Sequence, residues 1–328
     1  MKRLTDNKII LVTRPTRLAE LVIRFNTVTQ ARFYIEHQGA DFADYLREDQ
    51  VYHAARVQAE RILAELGRVQ TLDRGYLPNF IFGPDDTVVI LGQDGLVANT
   101  LKYLNGQPVL GVNPDPGRWE GKLLKFGVGD LTKVVPEVFA HVRSTRSVTM
   151  AKATLNNGQS LYAVNDLFIG PRSHVSARYI IHYGKDSETH SSSGIVVSTG
   201  MGSTGWLKSL LTGAAAVSQT AALVLGPPPE VAGRRKTERA PAPLGLKAEF
   251  PWDANYLCFT VREPFATKTT GASLVFGRVT PETTLALESR MAENGVIFSD
   301  GVESDFLEFN AGTQAVIGIA ERKGQLVL

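Results

Sequence analysis

The spacing of apolar positions changes near residue 142, and the change predicts two structural regimes. Before it, short buried runs alternate with longer stretches of helical period. Lys8–Val12 and Thr87–Leu91 read as strands with apolar residues throughout. Between them, Ala40–Leu66 carries Tyr45, Ala54, Val57, Ile62 and Leu63 among many charges, the pattern of a surface helix or helix pair with one buried stripe. A helical run over Leu96–Leu104 leads into the apolar Pro108–Val112 at a spacing that makes a compact βαβ unit. Such alternation predicts a parallel sheet covered by helices.

After about Val142 the pattern becomes alternating and β-branched, through Ser147–Leu155, Gln159–Ile169, Arg178–His182 and Gly194–Val197. Asn156-Asn-Gly158 is a strong hairpin signal, because Asn and Gly tolerate the positive φ such turns need. One Leu- and Ala-rich helix is expected from Gly205 to about Leu223, behind a Gly-Ser-Thr start that resembles a cap. The pattern therefore predicts an α/β domain over residues 1–143 and a mainly antiparallel β domain over 144–328, with the last residues free to pack back on the first. The stretch 227–243 is dense in proline and charge and reads as a mobile loop. Its Arg234, Arg235 and Lys236 are within reach of a polyphosphate, although a solvated surface loop is the simpler reading.

Bulk properties narrow the setting. A length of 328 residues suits two cores, and a net charge of +2 offers no electrostatic argument for nucleic-acid or membrane partners. Cys258 is the only cysteine, which excludes an intrachain disulfide and a cysteine-based zinc site and fits a reducing, cytoplasmic setting. The first apolar run is too short for a signal peptide, and no stretch is long enough to span a bilayer. His174, His182 and His190 are evenly spaced, but no helical pair or carboxylate cluster accompanies them, so surface or strand-edge histidines are expected.

Three stretches carry chemistry. In Gly92-Gln-Asp-Gly95 an acid is bracketed by glycines between a strand and a helix, where free N–H groups attract anions. Ser198-Thr-Gly-Met-Gly-Ser-Thr-Gly205 repeats that context, and its amides and hydroxyls suit an anionic or ribosyl group. Two such loops in two domains suggest a cleft. Asn165-Asp166 pairs an amide with a carboxylate and could grip a cis-diol or simply make local backbone bonds.

In this order the three stretches resemble the NAD kinases, whose usual motifs are Gly-Gly-Asp-Gly-Thr, Asn-Glu and Thr-Gly-Ser-Thr-Ala-Tyr, and are most similar to the mitochondrial-type branch and its bacterial counterparts. The similarity extends through Pro108–Pro116 with Glu120-Gly121, Val164–Gly170, Val261-Arg-Glu-Pro264, and Ser299-Asp-Gly301 with Phe306–Asn310. It implies a Rossmann-like domain, a β-rich domain and an interdomain nucleotide site. The implied activity is phosphorylation of NAD or NADH at the adenosine ribose 2′-hydroxyl, with ATP or polyphosphate as donor, Mg²⁺ held largely by phosphates and water, and a homodimeric assembly. On that resemblance Asp94 is the catalytic acid and Gly92 and Gly95 are phosphate-loop glycines. Asn165 and Asp166 hold the dinucleotide, and Ser203, Thr204, Gly205, Trp206 and Ser209 line the same site. Gln93 and Leu96 depart from the usual glycine and threonine, Asp166 from glutamate and Gly205-Trp206 from Ala-Tyr. These departures leave open a kinase with a different hydroxyl acceptor, such as a sugar, nucleoside or lipid, and a catalytically weak NAD(H)-binding regulatory protein.

Overall fold

A computed structural model describes residues 4–225, 248–302 and 304–328. The 227–243 stretch, with Arg234, Arg235 and Lys236, lies outside the described residues. The chain divides into two compact units, Met1–Val148 with Arg322–Leu328, and Thr149–Glu321.

The first unit is built around parallel strands. Its elements are β1 (Lys8–Thr13), α1 (Arg17–Phe25), α2 (Val28–His37), α3 (Phe42–Leu66), β2 (Arg68–Asp73), β3 (Thr87–Leu91), α4 (Asp94–Leu101), β4 (Pro108–Asn113), β5 (Phe126–Gly127) and α5 (Leu131–Phe139). The sheet runs β2-β1-β3-β4, with β5 also beside β4, all parallel. Gln325 and Leu326 near the carboxy terminus pair with Pro108 and Val109 in the same sense. Ile9, Leu11, Val89, Leu91, Leu110 and Val112 pack against α3 and α5 in a dry core.

Helix α3 is one helix, but its buried stripe is Tyr52, Ala55, Ala59, Ile62 and Leu63. The expected stripe through Ala54 and Val57 is out of phase, since both are exposed. Small alanines carry the buried face here, and a reading weighted toward large apolar side chains discounts them. The same helix buries Glu48, which is held by Arg14 (3.1 Å) and Arg17. Helices α1 and α2 escape the pattern because they are short and separated only by Asn26 and Thr27. Asn26 takes φ 65° to end α1, and the Thr27 hydroxyl caps α2.

The second unit is antiparallel. Its strands are β6 (Thr145–Leu155), β7 (Ser160–Ala163), β8 (Asp166–Pro171), β9 (Ala177–Tyr183), β10 (Asp186–Ser192), β11 (Ile195–Ser198), β12 (Leu257–Val261), β13 (Phe276–Val279), β14 (Leu285–Ser289), β15 (Gly295–Ser299), β16 (Phe306–Glu308) and β17 (Gln314–Val327), with α6 at Trp206–Leu225. One sheet contains β10-β9-β14-β17 and the β6–β7 hairpin; the other runs β13-β12-β11-β8-β15-β16. Gly158 takes φ 86° in the Asn156–Gly158 turn, as that hairpin requires. Period-two alternation sends Leu167, Ile169, Val197, Phe259 and Ile297 from one sheet onto Ile181, Leu285, Leu287 and Ile317 from the other.

His190 lies on β10, an edge strand as expected, but its side chain is buried and not on the surface. It is 1 % exposed, with Nε2 2.6 Å from Glu188 Oε2 and Nδ1 3.4 Å from the Tyr179 hydroxyl. His182 on β9 is exposed, and among the described residues no three His, Cys, Asp or Glu side chains are gathered to hold a metal.

Candidate functional site

In the first unit, the apolar run of β3 ends at Leu91 and the chain turns through Gly92 and Gln93 into α4. This places Asp94 on the first helical turn at the carboxyl end of a parallel strand, where α/β sheets bind ligands. A second loop fixes it. Both carboxylate oxygens accept backbone N–H groups, from Leu123 at 2.9 Å and Lys122 at 3.1 Å.

The reach of that second loop depends on small residues. Gly111 of β4 lies so close beneath Leu123 that a Cβ there would stand 2.1 Å from its carbonyl oxygen. Gly121 adopts φ 63°. The Asn113 side chain ties the loop at both ends, donating to the Trp119 carbonyl at 2.9 Å and accepting from Asp115 N at 3.0 Å. An ionised carboxylate offers about four lone-pair directions, so two remain for another donor such as a hydroxyl.

Of the two departures in this turn, Leu96 has a packing explanation and Gln93 has none in the structure. Leu96 is a core side chain, 5 % exposed, whose Cδ2 lies 2.8 Å from where a Gly92 Cβ would be. Gln93 precedes α4 in extended conformation, with no side-chain capping bond. Gly95 is exposed and a Cβ there would meet nothing within 4 Å, so open space lies over the helix start. The sheet edge also carries Arg14, whose Cδ lies 3.8 Å from the same Gly92 position and whose buried Nε has no hydrogen-bond partner.

In the second unit, the structure brings Asn165-Asp166 and the Ser198–Gly205 loop into direct contact. Thr199 N donates to Asn165 O at 2.9 Å, and the Thr199 hydroxyl donates to Val164 O. Gly202 sits against Asn165 so closely that a Cβ would be 2.2 Å from its carbonyl oxygen, and Gly200 sits likewise on Pro251 at 1.9 Å. Ser203 is fully buried; its hydroxyl donates to Gly200 O at 2.7 Å and accepts from Phe250 N at 3.3 Å. That hydroxyl builds the loop and does not cap α6, as the Gly-Ser-Thr pattern suggested. Thr204, Gly205 and Ser209 are exposed at the start of α6, and Trp206 is partly buried.

Asp300 belongs to the Ser299-Asp-Gly301 stretch that the resemblance includes without assigning it a role. In a left-handed conformation (φ 54°), its carboxylate accepts from three successive amides, Val164 (3.1 Å), Asn165 (2.7 Å) and Asp166 (3.2 Å). Its own N–H donates to Asp166 O at 3.0 Å. Asp166 itself has a buried Oδ1 with no partner. Burial, together with the nearby Asp300 charge, pushes the Asp166 carboxyl up to about 7, against an opposing hydrogen bond from Ser198.

Two residues along β8 from Asp166, and on the same face of the strand, Phe168 forms an aromatic wall. Its ring stacks on Trp206 at 5.7 Å and on Phe298 at 4.9 Å, and Gly170 and Gly194 leave room for it to lie flat. These rings, with Arg172, Arg262 and Glu263, line a cavity of about 720 Å³. The Arg262 guanidinium is 5.6 Å from the Trp206 ring centre. The sequence marks Trp206 as a candidate site residue but carries no signal for Phe168 and Phe298 as its ring partners, because their convergence depends on strand register.

No family model matches this sequence, and no curated protein is similar to it by sequence. Similar solved structures do exist. An NAD kinase from Archaeoglobus fulgidus in complex with ATP matches with a TM-score of 0.54 and 14 % identity, over 98 % of this chain and 93 % of that one. Yeast NADH kinase complexed with NADH matches with a TM-score of 0.54 and 14 % identity, over 98 % of this chain and 84 % of that one. The fold is therefore NAD kinase-like, an α/β unit and a mainly antiparallel β unit.

Proposed function

We propose that this protein is a phosphotransferase that moves the γ-phosphoryl group of ATP onto the adenosine ribose 2′-hydroxyl of NAD or NADH. The observation that carries the reading is Asp94. It is a carboxylate fixed by two backbone amides at the carboxyl end of a parallel sheet, beside the open start of a helix. Phosphoryl transfer asks a protein mainly to position reactants and to offset charge. A carboxylate held in this way can orient a hydroxyl and accept its proton as the oxygen bonds to phosphorus and ADP departs. The helix start suits phosphate oxygens. In the second unit, Asn165 and the unpartnered Asp166 Oδ1 suit a ribose diol, and the Phe168–Trp206 wall suits a planar ring. With no three metal-ligating side chains gathered among the described residues, Mg²⁺ is read as arriving with the donor's phosphates.

A second reading, a dinucleotide-binding protein with weak catalysis, is favoured by one observation: both Asp94 oxygens already accept backbone N–H bonds, so the residue could serve only to staple the Lys122–Leu123 loop. Purified protein with Mg²⁺ and labelled ATP or polyphosphate, offered NAD, NADH and a panel of sugars and lipids, separates the two. The kinase reading expects NADP or NADPH. Tight NAD binding without transfer supports the second reading, and transfer only to another acceptor removes the dinucleotide assignment.

A further inference from the structure

Asp300 lies outside the chemistry assigned above, yet its carboxylate accepts from three successive backbone amides. Successive N–H groups that converge on one anion form a nest, and a nest holds its chain in one conformation. Here the chain so held is Val164-Asn165-Asp166, the link between β7 and β8, and the anion belongs to the turn that follows β15. Strand pairing alone does not impose this shape, because Asn165 lies between the two strands.

We propose that Asp300 is the positioning residue of the acceptor site: its carboxylate fixes the Asn165-Asp166 link for the acceptor's hydroxyls, and its charge adds to burial in making that grip sensitive to protons. The second half of this statement rests on the acceptor reading given above.

The physical argument has two parts. The clasp has geometric consequences, because Asp300 takes three amides while returning its own N–H to the Asp166 carbonyl, so the link is held from both directions. The charge has an electrostatic consequence. Among the described residues the charge that acts on Asp166 is that of Asp300, while β11 presents the Ser198 hydroxyl and the Thr199–Thr204 loop contains no ionisable side chain. The Asp300 charge opposes ionisation of the buried Asp166 carboxyl, and Asp300 accepts from amides that favour its charged form. Asp166 is therefore the partner that takes up a proton. Ionised, it accepts two diol hydrogens; protonated, it loses acceptor capacity. The sign follows directly: Asp166 is half protonated near pH 7, so the grip strengthens as pH rises through that value and weakens as pH falls through it.

The test uses the full-length protein. ¹³C NMR of the Asp166 carboxyl carbon, assigned by its loss in Asp166→Asn, is expected to show a midpoint near 7. In Asp300→Asn the midpoint moves down but stays above the ordinary carboxylate range, because burial remains, and the amides of Val164, Asn165 and Asp166 exchange at least about tenfold faster. Asp300→Glu restores charge with a different reach, so the midpoint stays raised while the amides exchange fast; it also keeps the test usable if Asp300→Asn fails to fold. NAD affinity, measured by calorimetry, is expected to be about tenfold weaker at pH 6 than at pH 8 in the wild type and flat in Asp166→Asn. An Asp166 midpoint near the ordinary carboxylate value, or amide protection and midpoint unchanged in both Asp300 variants, overturns the proposal. If the carboxyl and amide readouts behave as stated but NAD binds at no pH, the positioning role stands and the dinucleotide reading fails.

Discussion

Two glycine-rich loops, each leading from a strand into a helix, use glycine for different reasons. At Gly200 and Gly202 the absent side chain makes room for protein backbone, the carbonyls of Pro251 and Asn165. At Gly95 it makes room for nothing in the protein, and at Gly92 only for the tip of Leu96. The second loop is therefore a packed joint that fixes Asn165-Asp166, whereas the first leaves its helix start open. Similar composition in a sequence thus conceals one closely packed loop and one open one.

Alanine substitutions sharpen the contrast. Gly202→Ala forces a Cβ against a backbone carbonyl that cannot rotate away, so a loss of about 3 kcal/mol is expected by chemical denaturation. A loss under about 1 kcal/mol would show that the two loops do not pack as described. Leu96→Thr comes next: restoring the hydroxyl usual at this position removes buried apolar volume and leaves a polar group in the core, at about 2 kcal/mol, without raising the rate of transfer. A higher rate would mean that Leu96 faces substrate. In Gly92→Ala the obstacle is the end of a flexible side chain, so about 1 kcal/mol is expected. Gly95→Ala is predicted to raise stability by about 0.5 kcal/mol, because a helical glycine with open space above it gains from a methyl group. The same variant should weaken ATP binding if phosphate approaches that backbone. Unchanged ATP affinity would remove the donor from this helix start.

The units differ in how far they can be read from sequence. Strand runs such as Thr87–Leu91 and the Asn156–Gly158 hairpin are local patterns, and the structure places strands and turn there. The buried face of α3 is legible at Ile62 and Leu63 but not at Ala55, Ala59 and the ion-paired Glu48, whose side chains carry no apolar signal of that size. The candidate site shows the same division. Asp94, Asn165 and Asp166 stand out as residue types in glycine-rich or paired contexts. The groups that hold them do not, because Leu123 meets Asp94, and Asp300 meets Val164–Asp166, through backbone amides that carry no side-chain signature. The fit of Gly111 under Leu123 and of Gly202 under Asn165 likewise depends on contacts distant in the chain.

The central claim is that Asp94 serves transfer rather than only stapling a loop, and Asp94→Asn tests it most directly. Asparagine keeps one carbonyl acceptor for the Leu123 and Lys122 amides and removes the charge. The account predicts that the wild type converts NAD or NADH with MgATP to the 2′-phosphorylated dinucleotide, and that Asp94→Asn lowers kcat by about 10²- to 10⁴-fold while dinucleotide affinity changes less than about threefold. Product formation at the wild-type rate in the variant, or no phosphorylated dinucleotide from the wild type, would contradict it.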